Sequence, residues 1–246
     1  MLDHEKKRRL RYAILLGIGA VLLGVAGVAI VRLRPFLTYC TGAAGAVIAR
    51  QPALRGCGEL EAEVVEHQIA ADLALRLPDE ATVTFETDGP FLVVTADNVQ
   101  LIILRRHVAR ACDQADVVRL LDDPFRHDDA SIELAACYEF WKKVANTTTL
   151  HLWDVLWRSS REEVARWEVL ARAKLEDPHA ERGIVLIECD STRAVLRLGT
   201  RNQLNRWHAT VWNHDVVFGM HIRGTGNSPL VMDDVVRMIG SIKVDM

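Results

Sequence analysis

The longest apolar run of the chain lies near its start, from Tyr12 to Val31, and its twenty residues include neither a charge nor a proline. A helix rises about 1.5 Å per residue, so this run spans about 30 Å, the thickness of a bilayer's hydrocarbon core. The pattern therefore predicts one membrane-spanning helix over residues 12–34, after a basic tail of residues 1–11. Pro35 is expected to end that helix.

A secretory signal peptide is the alternative interpretation of this run. The apolar part of a signal peptide usually holds only about 7–15 residues. Arg32 and Arg34 also occupy the place where small residues precede a cleavage site. The length and the flanking charges together favour a permanent anchor.

The charges on either side of the run predict its orientation. Five lysines and arginines precede it, whereas Arg32 and Arg34 follow it. Basic flanks stay on the cytoplasmic side, so we expect a single-pass inner-membrane protein with a cytoplasmic N-terminus and an extracytoplasmic domain. Residues 36–246 hold 31 acidic against 23 basic residues, which argues against nucleic-acid binding.

Small residues follow one face of the predicted helix at alternating spacings of four and three. They are Ala13, Gly17, Ala20, Gly24 and Gly27, which we call the small-residue seam. Such seams allow the close approach of a second membrane helix. The alternative is that glycine and alanine are simply frequent in membrane helices. We expect the bilayer and other transmembrane helices, from a second copy or from another membrane protein, to be the partners.

A second apolar run, residues 36–49, is about 21 Å long as a helix and too short to span. We expect it to lie at the membrane interface or to dock on the domain, although a second crossing would return the domain to the cytoplasm. Together with residues 50–58 it forms a predicted juxtamembrane segment and linker over residues 35–58.

The pattern beyond the linker predicts one α+β domain over residues 59–246, with antiparallel meanders and a helical middle section. The predicted elements are a helix at 59–70, strands at 73–77, 81–87, 90–96 and 99–105, helices at 108–121, 132–145, 147–158 and 160–177, strands at 183–189, 193–198, 206–212 and 216–223, and a closing helix after Ser228 and Pro229. Ser160 and Glu163 form a predicted capping box. The Asp88-Gly89 turn places Phe85 opposite Leu92.

The order of elements in the last third, with a short capped helix ending in Ser-Ile-Lys-Val (241–244), resembles the PsbP-like group of α+β domains. The similarity covers roughly residues 160–246, and residues 75–78 resemble an early strand of that group. The helices over 108–175 are longer than the pattern of the group. The resemblance implies an accessory role rather than catalysis and supplies no site residues.

Few residues are candidates for metal or ligand chemistry. His208 and His221 lie opposite each other if residues 214 and 215 form a two-residue turn, and on opposite faces if the turn has three residues. An acidic loop at 122–129 also contains His127. Neither group amounts to a metal site by spacing, since a third ligand to the histidines is missing and a solvated loop explains the carboxylates.

The aromatic residues and cysteines admit two interpretations each. Trp153 and Trp157 are expected to share a helix face in the core, the alternatives being a place at the bilayer interface or on a docking surface for a partner. The five cysteines lack metal-ligand spacing. We expect isolated buried thiols, the alternative being two disulfides with one cysteine left over.

Two functions follow from these patterns. The first is a membrane-anchored accessory or scaffold subunit that stabilises a larger membrane complex, with no cofactor. Its support is the seam, the acidic domain and the lack of catalytic motifs. The second is an envelope ligand-binding protein or metal-dependent hydrolase that uses the histidine hairpin or the acidic loop.

Overall fold

The protein is a mixed α+β structure with a long apolar N-terminal helix and a sheet-rich domain, which confirms the predicted class at this level. The computed structural model describes residues 2–57, 64–70, 73–78, 82–88, 91–96, 99–106, 137–177, 181–199, 205–214, 216–225 and 230–244. Its helices are α1 (Leu2–Tyr39), α2 (Gly42–Ile48), α3 (Tyr138–Asn146), a π-helical turn (Asp154–Arg158), α4 (Arg161–Glu176) and α5 (Met232–Gly240).

Eleven strands in the described residues form two sheets. They are β1 (Ala53–Gly56), β2 (Val64–Ala70), β3 (Leu73–Pro78), β4 (Val83–Asp88), β5 (Phe91–Ala96), β6 (Val99–Arg106), β7 (Ile184–Glu188), β8 (Thr192–Arg197), β9 (Arg206–Asn213), β10 (Val216–Gly224) and β11 (Ile242–Val244). The large sheet has the order β1-β7-β8-β9-β10-β6-β5-β4, and the small sheet has the order β11-β3-β2. Only β1 and β7, among these pairs, run parallel.

The main core lies between the two sheets and α5. Alternate residues of the large sheet point inward, as do those of β3 and one face of α5, because side chains alternate along a strand and recur every three or four residues along a helix. Leu75, Leu101, Ile222 and Ile239 are fully buried there. On the opposite face of the large sheet, α3 packs over β7, β8 and β9, and α4 packs against α3.

Hairpins and the capped helix agree well with the sequence. Asn213 pairs with Val216, which leaves two residues between the strands, and His214 takes the positive φ of 49° that two-residue turns require. The Ser160 hydroxyl accepts from the Glu163 amide while the Glu163 carboxylate accepts from the Ser160 amide. α4 therefore begins with the predicted capping box.

Several predicted elements differ from the structure. The helix over 59–70 is wrong, because residues 64–70 form β2, which pairs with β3. The meander over 73–105 is divided between the sheets, since β3 belongs to the small one. In the hairpin, Phe85 pairs with Val94 rather than Leu92. This shift of two residues keeps the same side chains on the core face.

Near the N-terminal helix two further predictions were wrong. α1 continues through Pro35 to Tyr39, so the helix accommodates a proline that lacks one backbone donor. Residues 53–56, predicted as linker, form β1 beside β7. The predicted helix at 108–121, the start of the one at 132–145 and the acidic loop at 122–129 lie outside the described residues.

Candidate membrane-interface site

Residues Leu15–Tyr39 of α1 form the one described helix that is long and apolar enough to cross a membrane. None of its most apolar window is buried against the rest of the protein. A secretory signal sequence near an N-terminus has the same properties as a membrane anchor. The exposed apolar surface of this helix therefore needs an apolar environment that the described domain does not provide.

The small-residue seam is open in this structure. A Cβ atom added at Gly17, Gly24 or Gly27 would meet no atom within 4 Å. Ala20 is exposed as well, and the side chain of Ala13 lies outside the described part. No described residue of this chain therefore occupies the face along which a second helix would pack.

The two tryptophans predicted in the core lie on the surface, so that prediction was wrong. Trp153 is 68% exposed and Trp157 is 74% exposed. Trp153 directly precedes the π-helical turn and Trp157 lies within it, and the turn faces the domain through the buried Val155 instead. Arg32 of α1 donates from Nη1 to the Leu156 carbonyl over 2.9 Å. Both indole rings are therefore exposed on the turn that contacts the C-terminal half of α1.

The end of α1 also contacts α4. The Tyr39 ring packs edge-to-face on Trp167, with the centroids 5.9 Å apart. Trp167 in turn donates from Nε1 to the Thr148 carbonyl over 2.8 Å. An aromatic pair and a hydrogen bond thus link α1, α4 and the segment before the tryptophan turn.

Lys174 joins the segment after α1 to the domain. It lies on α4, its side chain is 2% exposed, and its Nζ donates to four backbone carbonyls. The acceptors are Ile48 at 3.0 Å, Arg50 at 2.7 Å, Ala145 at 2.9 Å and Thr147 at 2.8 Å. These carbonyls lie at the C-terminal ends of α2 and α3, where helices leave acceptors unpaired and cations are favoured. We call this group the Lys174 cage.

The cage holds its charge at neutral pH. Burial lowers the pKa of the Lys174 ammonium to about 8, because desolvation disfavours the charged form. The ammonium therefore remains largely protonated at neutral pH and shares its three N–H groups among the four acceptors. Sequence reasoning missed this residue, although Lys174 recurs on the same helix face as Trp167 and Ala171, which is a signal of a buried lysine.

A disulfide fixes the chain just after β1. Cys57 is bonded to Cys189, which follows β7, and the two residues are 132 positions apart. α5 ends against this bond: a Cβ added at Gly240 would lie 2.2 Å from the Cys57 Sγ. A glycine is therefore required at Gly240 for α5 to pack on the disulfide.

Most of the described cysteines form disulfides, which was the alternative prediction, instead of being isolated buried thiols, which was the favoured one. Cys137 is also disulfide-bonded, whereas Cys40 is free. Cys112 lies outside the described residues. Within the described chain, three of four cysteines are oxidised, so the favoured expectation was wrong for these three.

The histidine hairpin brings its two predicted residues together. His208 pairs with His221 across β9 and β10, and their rings meet edge-to-face with centroids 4.3 Å apart. The described residues contain no group of three or more histidine, cysteine, aspartate or glutamate side chains placed to hold a metal ion. Within that part of the chain, the histidines form a pair without a third ligand.

Comparison with known proteins finds no family model that matches this chain and no curated protein similar to it. The resemblance of residues 160–246 to the PsbP-like group stays a prediction.

Proposed function

We propose that this chain is a single-pass membrane protein whose extracytoplasmic domain is held at the bilayer surface, and that it serves as an accessory subunit of a larger membrane complex. The observation that carries this proposal is the open small-residue seam on an exposed apolar helix that is tied to a folded domain. A helix whose small-residue face is left uncovered by the described residues of its own chain can pack with a helix of another chain.

The exposed tryptophans support a position at the membrane interface. Trp153 and Trp157 lie on the turn that contacts Arg32, and Arg32 follows the apolar run directly. Tryptophan and arginine are both favoured at the level of the lipid headgroups, tryptophan by its amphipathic ring and arginine by its long side chain. The same bilayer level therefore suits the end of α1 and both indole rings.

The disulfides and the charge asymmetry support an extracytoplasmic domain. Disulfides persist in the periplasm and outside cells, whereas cytosolic thiols are kept reduced. The domain contains oxidised Cys57, Cys137 and Cys189. The basic tail before α1 independently favours a cytoplasmic N-terminus.

The test compares two bulky double substitutions in the full-length protein. Gly17→Leu with Gly24→Leu fills the seam, whereas Gly19→Leu with Ala26→Leu adds similar bulk at the same spacing on the opposite helix face. Each tagged protein is purified in a mild detergent, and co-purifying membrane proteins, including untagged copies of this chain, are quantified by mass spectrometry. We expect the seam variant to lose its stoichiometric partner at least about tenfold, because the backbones no longer approach closely.

The control variant should keep that partner within about twofold, and both variants should keep the thermal unfolding of the domain. The proposal would be refuted if both variants retained their partners equally. It would also be refuted if neither another membrane protein nor a second copy of this chain co-purified with the wild type.

A further inference from the structure

A mirrored sequence around the β9–β10 turn places four basic side chains together. The chain contains Arg206-Trp-His208 on β9 and His221-Ile-Arg223 on β10. The observed register pairs His208 with His221 and Arg206 with Arg223. Because alternate residues of a strand share a face, the four side chains lie on one face of the large sheet. We call them the Arg–His quartet.

The two arginines face each other, and the described part of the chain offers them no compensating charge. Directly opposite residues of an antiparallel pair lie about 5 Å apart at Cβ, and like charges there repel. Among the described residues, no carboxylate forms an ion pair with Arg206 or Arg223. The neighbouring Arg197, which pairs with His208 on the other side, differs: its Nε lies 2.5 Å from the buried Asp177 carboxylate.

One neutral side chain orients Arg223. Gln100 lies opposite Arg223 on β6, and the Arg223 Nε donates to the Gln100 Oε1. Gln100 itself donates from Nε2 to the Thr95 hydroxyl over 3.1 Å. The Gln100 amide is thereby fixed so that its oxygen accepts from Arg223. Because Gln100 engages the Nε of Arg223, the two Nη groups of the same guanidinium are the donors that remain for a ligand.

An open pocket of about 480 Å³ lies at the arginine end of the quartet. Its lining combines the two arginines with Gln100, Asn205, Gly224 and Thr225. Guanidinium groups bind phosphate through two parallel hydrogen bonds, and amide and hydroxyl donors complete such sites. The local charge is positive although residues 36–246 as a whole are acidic.

We propose that this pocket binds a phosphate-bearing anion, held by Arg206 and Arg223 and oriented by Gln100, with His208 and His221 beside it. The anion neutralises the two facing guanidinium groups, which the described residues leave uncompensated. The proposal is independent of the membrane partner and holds with or without one.

The position of the pocket allows a lipid headgroup as the source of the phosphate, besides a diffusible anion. His208 and His221 share a cross-strand row with Arg197 and Ile184. At this end of the sheet, Arg50 of the segment after α2 donates to the Glu181 carbonyl. Strands are spaced about 4.8 Å apart, so the pocket lies only two to three strands, about 10–15 Å, from the point where the N-terminal helices join the domain.

The test measures binding to full-length protein in an uncharged detergent by calorimetry. The probes are inorganic phosphate, with chloride at equal ionic strength as its control, and short-chain phosphatidylglycerol, with short-chain phosphatidylcholine as its control. The test variant is Arg206→Gln with Arg223→Gln. The matched variant, Arg55→Gln with Arg237→Gln, removes the same charge from exposed positions outside the pocket.

We expect the wild type to bind at least one phosphate probe more tightly than its control, and the pocket variant to bind about 100-fold more weakly, about tenfold for each arginine. The matched variant should stay within about twofold. Binding of both probes indicates a diffusible anion, and binding of the lipid alone indicates a headgroup. Equal affinities of the two double variants, or a wild type that prefers neither probe, would overturn the proposal. If the pocket variant without ligand melts at no lower a temperature than the wild type, any loss of binding is not caused by a loss of folding.

Discussion

The Lys174 cage and the Arg–His quartet are two positively charged sites that differ in how the chain compensates their charge. Lys174 is buried, and four carbonyls of its own chain accept from it. Arg206 and Arg223 are exposed and face each other, and Arg223 donates to one neutral side chain, Gln100. A cation whose hydrogen bonds are satisfied within its own chain holds two parts of that chain together, and we call it a joint. A cation that its own chain leaves uncompensated is available to bind a ligand.

The difference arises from the backbone around each site. The C-terminal ends of α2 and α3 present carbonyls that lack helical partners, so a single ammonium between them satisfies acceptors of two helices at once. Paired strands already use their carbonyls and amides in the ladder. The carbonyls beside Arg206 and Arg223 are therefore already engaged, and Arg223 donates instead to a neighbouring side chain, that of Gln100.

The largest expected effect comes from removing the joint. Lys174→Met keeps the length of the side chain but leaves four carbonyls, two of them at the Ile48 and Ala145 helix ends, without a donor. We expect the free energy of unfolding to fall by about 3–5 kcal/mol, since buried acceptors that lose a charged partner are costly. Urea unfolding of the full-length protein in detergent, followed by tryptophan fluorescence, measures this loss.

The matched control is Lys143→Met on α3, whose ammonium has no such acceptors among the described residues, and which should cost less than about 0.5 kcal/mol. If Lys174→Met lowers the free energy of unfolding as little as this control does, water replaces the ammonium, and the cage does not hold the N-terminal segment to the domain.

The disulfide is the second joint between the N-terminal segment and the sheet, and it is covalent. Replacing Cys57 and Cys189 together by alanine should lower the free energy of unfolding by about 2–4 kcal/mol, because the bond closes a loop across 132 positions. Cys40→Ala, which removes the free thiol, is the control and should change it far less. Equal stability of the two variants in the same urea experiment would contradict the role of the bond.

Sequence patterns predicted the parts of both regions that depend on local chemistry. Alternation along β9 and β10 and the turn residues between them gave the hairpin, and the alternative with a two-residue turn gave the pairing of His208 with His221. The same register already implies Arg206 opposite Arg223, so the quartet had a signal in the mirrored Arg-x-His and His-x-Arg sequences that went unused.

Elements that depend on distant partners were out of reach. β1 is four exposed residues with no alternation, and it is a strand only because β7 lies beside it. In β2, Val65 and Ile69 have helical spacing, but pairing with β3 decides its conformation. Trp153 and Trp157 have the spacing of a buried face. A periodic pattern does not distinguish a protein core from other apolar surroundings, so this spacing did not reveal that both rings are exposed.

The smallest predicted effect has the opposite sign and makes the comparison sharpest. Arg206→Gln should raise the free energy of unfolding by roughly a few tenths of a kcal/mol in phosphate-free buffer at low salt, because it relieves the repulsion from Arg223. Adding Arg223→Gln should gain little more, since both substitutions remove the same repulsion. Salt at about 1 M should abolish this gain by screening, while the loss in Lys174→Met, a buried site, should persist. If Arg206→Gln instead destabilises the protein at both salt concentrations, the arginine is already satisfied by its own chain, and the contrast between the two regions disappears.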